Sequence, residues 1–318
     1  MLNKKTSPPV DTKTGNKRQI LWKDLKRDKL LYLLLILPIT VYVLFYYKPM
    51  FGLQIAFKNY NVFQGISESP WVGFEHFKTF FTSPFFGRTL KNTLMLSLYN
   101  MLFAFPAPII LALMFNEVQK IKFKKFVQTC TYIPHFISVV IVASLVTSFL
   151  SPSSGVINTI ISAFGGEKVY FLTKPEYFRT IYTVMGIWQS TGFNSIVYLS
   201  VITAIDTSLY EAAMIDGANK WKQITNVTIP SILPTIVMMF IMRLGNILNV
   251  GYESIILLYQ PATYETADTI GTYIYRVGLE NSQYSLATAV GLVNGVVGLL
   301  LVILSNTISK RVTEYGLW

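Results

Sequence analysis

Long apolar stretches alternate with polar ones along most of the chain. A helix that crosses a bilayer needs about 20 mainly apolar residues. The pattern predicts six such spans, at 30–47, 92–115, 126–150, 179–203, 234–258 and 284–306. The predicted fold class is therefore an all-α polytopic membrane protein with six transmembrane helices. The chain shows no threefold internal repeat, which argues against the carrier fold that builds six spans from three similar units.

The spans divide the chain into parts of different character. A basic run precedes the first span, as in a secretory signal, but YYKPMFG follows it instead of a small-residue cleavage site, so we expect this helix to be retained. The long loop at 259–283 is expected to dip back toward the centre. In order, the predicted parts are a basic cytoplasmic segment (1–29), the first transmembrane helix (30–47), an extracellular loop (48–91), a five-helix core (92–306) with a cytoplasmic loop at 206–233, and a cytoplasmic tail (307–318).

Composition and charge agree with a membrane location. The chain of 318 residues is 52% hydrophobic and 14% charged, whereas soluble domains carry about 25% charged residues. Of the Lys and Arg residues, 17 fall on the side that holds both termini and nine on the other side. Because basic residues favour the cytoplasmic side, both termini are predicted to be cytoplasmic. The net charge of +11 then reflects this topology and an attraction to the headgroups of membrane lipids, which are an expected partner. No nucleic-acid partner is expected.

The residues that usually carry catalysis or bind metals are sparse. There is one cysteine, Cys130, and the two histidines, His76 and His135, lie far apart in the sequence. No paired carboxylates or metal-ligand spacing accompany them, so we expect no metal site and no enzymatic activity. The Tyr- and Lys-rich composition favours the plasma membrane of a Gram-positive bacterium.

The polar loop at 206–233 predicts a small helix-turn-helix. Ser208 and Glu211 fit a capping box at its start, and Gly217 is a natural place for the first helix to end in a left-handed conformation. Pro230 and Pro234 then restrict the backbone where the fifth span begins. Local physics alone leaves two interpretations open, an ordinary connector at the membrane surface or a docking element.

Within this loop, EAAMIDGANKWKQITNVTIPSILP resembles the EAA motif of bacterial ABC-importer permeases. WVGFEHFKTFFTSPFFGRTLKNTL and YETADTIGTYIYRVGLENSQYSLATAVG resemble other segments of these permeases, in the carbohydrate subgroup that includes LplB-type and MalF-like members. Ile229 departs from the leucine usual before the proline. The resemblance implies the type I importer (MetI-like) fold and assigns ATPase coupling to Glu211, Ala212, Ala213, Asp216, Gly217, Ala218, Trp221 and Pro230.

The same resemblance implies a function and a set of partners. The chain would be the transmembrane subunit that translocates a carbohydrate, in particular an oligosaccharide, by alternating access. Its partners would be a second homologous permease in a heterodimer, two copies of a cytoplasmic sugar-importer ATPase, and an extracellular lipid-anchored or periplasmic sugar-binding protein. This chain has no G-x-x-x-x-G-K-[ST] phosphate loop, so ATP and Mg would be bound by the partner ATPase and no cofactor by this chain.

Polar residues inside the predicted spans are candidates for the substrate pathway. At about 100° per residue, the polar residues of the fifth span would share one face, and intramembrane ionisable groups usually face a cavity or a partner. The alternative interpretation is that these groups fix packing, through a pair between Arg243 and Glu253 or through an interhelical polar clamp. The pathway candidates are Gln189, Asn194, Arg243, Asn246, Asn249, Glu253 and Asn294.

A secondary, ion-coupled transporter is the alternative functional class. Such a protein would be expected to show internal repeats and a buried acidic coupling site, for which only Glu253 is available. Transport that depends on a separate ATPase would distinguish the two classes.

Overall fold

The computed structural model describes residues 27–313, 316 and 317. Within these residues the fold is all-helical, and an isolated bridge between Lys58 and Trp71 is its only β-type pairing. The predicted basic segment, apart from its last three residues, lies outside the described residues, as do Glu314, Tyr315 and Trp318 of the predicted tail. The prediction of an all-α protein is confirmed for the described part.

Twelve helical segments define the fold, and several of them contain a short π or 3-10 stretch. Their bounds in chain order are α1 Lys29–Phe57, α2 Glu75–Thr82, α3 Phe86–Glu117, α4 Ile121–Phe136, α5 Val139–Phe149, α6 Val156–Ala163, α7 Pro175–Thr203, α8 Thr207–Ile215, α9 Lys220–Gly245, α10 Tyr252–Leu258, α11 Ile270–Tyr275 and α12 Tyr284–Thr313.

Long apolar helices account for most of the predicted spans. Among the described residues, α1, α3, α9 and α12 are each long and apolar enough to cross a membrane. Two bent pairs, α4 with α5 and α7 with α8, raise the number to as many as six. The chain is therefore a multi-pass membrane protein. The described residues divide between Gln54 and Ile55 into a first and a second compact unit.

Helix α7 is the centre of the second unit. Phe178, Tyr182 and Met185 in its first half belong to one buried cluster, together with Leu96 of α3 and Ile255 of α10. Its second half contributes to another apolar cluster, which it shares with α3 and α9. A third cluster joins α2, α11 and the start of α12. Burial of apolar side chains against several neighbours is what fixes α7 among the other helices.

The predicted span at 126–150 is not a straight helix. Its two halves, α4 and α5, meet at 103°, because Ile137 and Ser138 adopt extended backbone between them. The amide of Gln189 on α7 donates to the carbonyl oxygen of Ile137 at 3.0 Å, which satisfies a backbone group that the bend leaves free. His135 stacks on Phe193 beside the bend, with ring centroids 4.1 Å apart.

The predicted span at 234–258 is wrong at both ends. Helix α9 begins at Lys220 and ends at Gly245, after which residues 246–251 leave helical geometry and α10 begins at Tyr252. The amide of Asn246 bonds back to the carbonyl oxygen of Met242 at 3.1 Å, and asparagine competes with helix in this way. Because the helix stops, the single polar face predicted for the fifth span does not exist.

Helices α9 and α12 cross closely through small residues. A Cβ on Gly298 would lie 2.8 Å from the carbonyl oxygen of Gly245, and a Cβ on Gly245 would collide with Val302. Only a residue without a side chain at position 298 permits this close approach of the two helices. Gly291 and Gly295 have open space instead, and they line a cavity described below.

The 259–283 loop packs onto helices α3 and α7. At its centre the carboxylate of Asp268 is fully buried and pairs with Arg88 at 2.6 Å and Arg276 at 3.0 Å. Burial alone would lower the pKa of Arg276, but the neighbouring Asp268 carboxylate raises it above its usual value. The side-chain amide of Asn92 donates to the carbonyl oxygens of Glu265 and Asp268 at 2.9 and 3.0 Å. These bonds hold the loop against the first turns of α3.

Candidate functional site

The 206–233 loop begins with a cap that differs from the predicted one. Asp206 is the N-cap residue, and its carboxylate accepts from the backbone N–H of Ser208 at 2.9 Å. That hydrogen bond lowers the pKa of the Asp206 carboxyl. The predicted capping box from Ser208 to Glu211 is therefore wrong, because the helix starts two residues earlier than the box requires. Asp is as good an N-cap as Ser, so sequence alone did not separate the two.

The turn after α8 is built as the sequence predicts. Gly217 has a φ of +75°, a conformation that side chains with a Cβ rarely adopt. The N–H groups of Gly217 and Ala218 donate to the carbonyl oxygens of Met214 and Ala213 at 3.0 and 2.9 Å, which closes the end of the helix. Asn219 then caps α9 by accepting from the N–H of Lys222.

Three contacts fix the two halves of the loop and attach it to the helices. The hydroxyl groups of Tyr210 and Thr228 lie 2.9 Å apart, and the amide of Gln223 donates to the carbonyl oxygen of Ala218 at 3.0 Å. The ammonium group of Lys220 pairs with Glu117 of α3 at 3.4 Å. Glu117 lies more than 100 positions away in the sequence, and no local pattern points to it.

The surface of the loop is apolar where it projects. Ile215 is 87% exposed and Trp221 is 72% exposed, with Leu209 and Met214 about half exposed. Glu211, Ala212, Asp216, Gly217 and Pro230 are exposed as well, while Ala213 and Ala218 are partly buried. An apolar patch on a polar, rigid loop is typical of a surface that contacts another protein.

A cavity of about 480 Å³ lies between α3, α7 and the end of α9. Four of the seven predicted pathway residues line it, namely Asn194, Arg243, Asn246 and Asn249. Sequence analysis missed other polar residues of its wall, since single hydroxyl and amide groups inside apolar spans carry no distinct signal. They are Ser97, Asn100, Tyr182, Ser190 and Tyr198.

Two predicted pathway residues lie elsewhere. The side-chain amide of Gln189 donates to the carbonyl oxygen of Ile137 at the bend between α4 and α5. Glu253 is exposed on α10 and is absent from the walls of both cavities described here. Within residues 27–313, no ion pair joins Glu253 to Arg243, so the alternative of a clamp between them is not found.

Asn294 links this cavity to a second one. The second cavity has a volume of about 820 Å³, and four tyrosines, Tyr60, Tyr252, Tyr275 and Tyr284, line it together with Asn294. Asn249 lines both cavities. The amide of Asn294 donates to the side-chain oxygen of Asn249 at 3.1 Å, so this asparagine pair lies where the cavities meet.

Neither histidine lies in these cavities. His76 is hydrogen-bonded to the carbonyl oxygen of Lys58 at 3.0 Å, and His135 stacks on Phe193. In the part of the chain that the structure describes, no three His, Cys, Asp or Glu residues form a group that could hold a metal ion. The chemistry of the site is thus that of hydroxyl, amide, aromatic and guanidinium groups.

Comparison with known proteins agrees with this architecture. Residues 85–314 match the family described as binding-protein-dependent transport system inner membrane component. Since this region covers most of the chain, the chain belongs to that family of permease subunits. The resemblance drawn from the EAA motif is confirmed.

Three relatives place the chain more closely. It is 43% identical to the protein LplB of Bacillus subtilis, over 92% of each chain. It is 44% identical to the polygalacturonan/rhamnogalacturonan transport system permease protein YteP of the same organism, over 98% of each chain. A chain in the crystal structure of a bacterial alginate ABC transporter, in complex with an alginate pentasaccharide-bound periplasmic protein, is 54% identical. It superposes with a TM-score of 0.86 over 93% of this chain and 99% of that chain.

Proposed function

We propose that this chain is the transmembrane permease subunit of an ATP-binding-cassette importer that translocates an oligosaccharide by alternating access. The observation that carries the proposal is the polar cavity between α3, α7 and α9 in a chain of this family. Amide and hydroxyl groups match the hydroxyl groups of a sugar, and aromatic faces match its apolar face. The names of YteP and of the alginate transporter support a carbohydrate as the cargo.

The exposed 206–233 loop is the proposed docking site for the ATPase. Its apolar patch around Ile215 and Trp221 would fill a groove on the partner, and Glu211 and Asp216 lie beside that patch. The turn at Gly217 and the bond between Tyr210 and Thr228 make the loop rigid. A rigid element continuous with α9 can transmit a movement of the ATPase to the wall of the cavity, because Arg243 lies at the far end of the same helix.

The remaining partners follow from the same proposal. A second homologous permease completes the route as a heterodimer, two ATPase copies bind ATP and Mg, and an external binding protein delivers the sugar. The alginate transporter, which was solved with its periplasmic protein, supports the last of these. We further propose six spans, with both termini cytoplasmic, in the plasma membrane of a Gram-positive bacterium. The Bacillus relatives are consistent with that origin.

An ion-coupled transporter is less well supported. Such a protein needs a protected acidic group that binds the coupling ion. Glu253 is exposed and lines neither cavity, and no carboxylate occurs among the described residues that line the first cavity.

Reconstitution tests the proposed function. The importer should take up a labelled oligosaccharide into proteoliposomes only when the ATPase and ATP are present. Asn246→Leu and Asn249→Leu should each lower uptake while the complex still assembles, since both lose hydrogen-bond groups from the cavity wall. Asn281→Leu, at an exposed position outside both cavities, is the matched control. ATP-independent uptake, or normal uptake by both cavity variants, would contradict the proposal.

A further inference from the structure

One charged side chain lies among the described residues of the first cavity wall. Of the described residues that line it, Arg243 alone is ionised at neutral pH, and the others are apolar, hydroxyl or amide side chains. Arginine stays protonated in proteins, so the cavity carries one fixed positive charge. A cation at membrane depth is costly unless an anion, water or a polar group compensates it.

No part of the described chain supplies that anion. Within residues 27–313, no hydrogen bond or ion pair engages the guanidinium group of Arg243, and the salt bridges that occur lie elsewhere. The spans around the cavity carry acidic residues only at their ends, Glu117 and Glu176. Glu117 already pairs with Lys220.

The helix end does not occupy Arg243 either. A basic residue in the last turn can bind the free carbonyl groups there, but those groups already have donors. The N–H groups of Asn246 and Ile247 bond to the carbonyl oxygens of Arg243 and Leu244 at 3.1 and 3.2 Å. The side-chain amide of Asn246 donates a hydrogen bond to the carbonyl oxygen of Met242. The guanidinium group is therefore available to a molecule in the cavity.

We infer that Arg243 binds a carboxylate of the transported sugar and so selects acidic, uronic-acid oligosaccharides over neutral ones. This inference rests on the proposed function. A guanidinium group matches a carboxylate with two parallel hydrogen bonds, and the neighbouring Asn194, Asn246 and Tyr198 offer partners for sugar hydroxyl groups. Alginate, the cargo of a transporter whose permease shares 55% identity with this chain, is an acidic polysaccharide, and polygalacturonan is a polymer of a uronic acid.

The first test compares two probes that differ only in charge. The importer, reconstituted with its partner permease, ATPase and binding protein, is given trigalacturonate, an alginate trisaccharide, or the carboxyl-reduced neutral form of each. The affinity of the binding protein for every probe is measured separately, so that its own selectivity can be factored out.

Arg243→Gln should lower uptake of an acidic probe by about 10- to 100-fold, the effect of losing a charged hydrogen-bond partner. Arg243→Lys keeps the charge but cannot form two parallel hydrogen bonds. Its uptake of an acidic probe should lie between that of Arg243→Gln and that of the wild type. Lys91→Gln removes an exposed positive charge from α3 and should behave as the wild type. Wild-type uptake of the acidic probes by Arg243→Gln, or an equal loss for acidic and neutral probes, would overturn the inference.

A second measurement needs no substrate. With Cys130, which is exposed, replaced by Ser, Asn246→Cys places a thiol in the cavity. The rates of reaction with an anionic and a cationic methanethiosulfonate reagent are then compared. Arg243→Gln should lower the anionic-to-cationic rate ratio by about tenfold, because it removes a nearby charge. An unchanged ratio would show that Arg243 does not set the potential of the cavity.

The outcomes separate the two proposals. If ATP drives uptake of neutral oligosaccharides only, the importer function stands and the inference about Arg243 falls. If no oligosaccharide of either kind enters, the proposed function itself is wrong.

Discussion

Two loops of this permease, 206–233 and 259–283, are held together in opposite ways. The first relies on bonds between residues close in sequence, such as Asp206 to Ser208 and Asn219 to Lys222, and leaves its apolar side chains exposed. The second is centred on Asp268, which is fully buried and pairs with Arg88, 180 positions away.

The difference matches what each loop has to do. A loop that docks another protein needs a preformed shape and an available surface, which short-range bonds provide without burying side chains. The 259–283 loop instead joins helices, since Thr266 donates to the carbonyl oxygen of Pro175 at the start of α7 and Asn92 of α3 donates to the loop backbone. We therefore expect damage to the first loop to affect coupling and damage to the second to affect folding.

The largest effect is expected from Asp268→Asn. The change leaves the guanidinium groups of Arg88 and Arg276 without their carboxylate, and breaking a buried ion pair costs about 3–5 kcal/mol. Thermal unfolding of the purified complex should shift strongly downward. Asp216→Asn in the exposed loop is the control and should change stability by less than about 0.5 kcal/mol. Similar melting curves for the two variants would remove the distinction between the loops.

Gly217→Val should damage coupling without preventing membrane insertion. The φ of +75° at this position is strained for a β-branched residue, and strain of this kind is large enough for about a tenfold loss of substrate-stimulated ATP hydrolysis. Gly217→Asn, which tolerates left-handed backbone, should keep much more activity. A valine variant that hydrolyses ATP and transports normally would show that the turn is not a rigid coupling element.

Deletion of residues 312–318 should have a smaller effect. The backbone N–H of Leu317 donates to the side-chain oxygen of the buried Asn306 at 2.7 Å, so part of the tail folds back on α12. We further propose that this cytoplasmic tail contacts the ATPases. Loss of that contact and of the hydrogen bond should lower coupled ATP hydrolysis by about threefold. Unchanged hydrolysis and transport would leave the tail without a role in coupling.

The smallest effect is expected from Glu117→Gln. The pair that Glu117 forms with Lys220 is exposed, and exposed ion pairs contribute about 0–1 kcal/mol. Unfolding temperature and transport should therefore stay close to wild type, in contrast to Asp268→Asn. A loss as large as that of Asp268→Asn would mean that the 206–233 loop also depends on a long-range ion pair.

Sequence predicted best the features that are encoded over a few neighbouring residues. Apolar stretches located most of the spans, and Gly217 identified the turn, because helix length and left-handed backbone depend on local chemistry. Sequence-based prediction failed where two local interactions compete for the same backbone groups. Asp206, two positions before the predicted Ser208, caps the helix instead, and the helix predicted across 234–258 stops at Gly245.

The candidate site was only partly predictable. Arg243, Asn246 and Asn249 were chosen for a shared helical face that the structure does not contain, yet all three line the cavity because the chain turns there. Glu253 was chosen for the same face and Gln189 as a polar residue of the fourth span, yet both lie elsewhere. Polarity inside a span identifies residues that need a partner, but it does not say whether that partner is a backbone carbonyl, a side chain or a substrate.

The sequence by itself determined that this is a helical membrane protein with a rigid, polar helix-turn-helix of the EAA type between two apolar spans. Each of these properties follows from residues within about one or two helical turns of one another. Only the tertiary structure decided the bend at Ile137, the burial of Asp268 between two arginines and the single unpaired charge in the cavity. The bend depends on a hydrogen bond between residues 52 positions apart, and the pair of Asp268 with Arg88 joins residues 180 positions apart. No local pattern records which distant group will satisfy a buried polar atom.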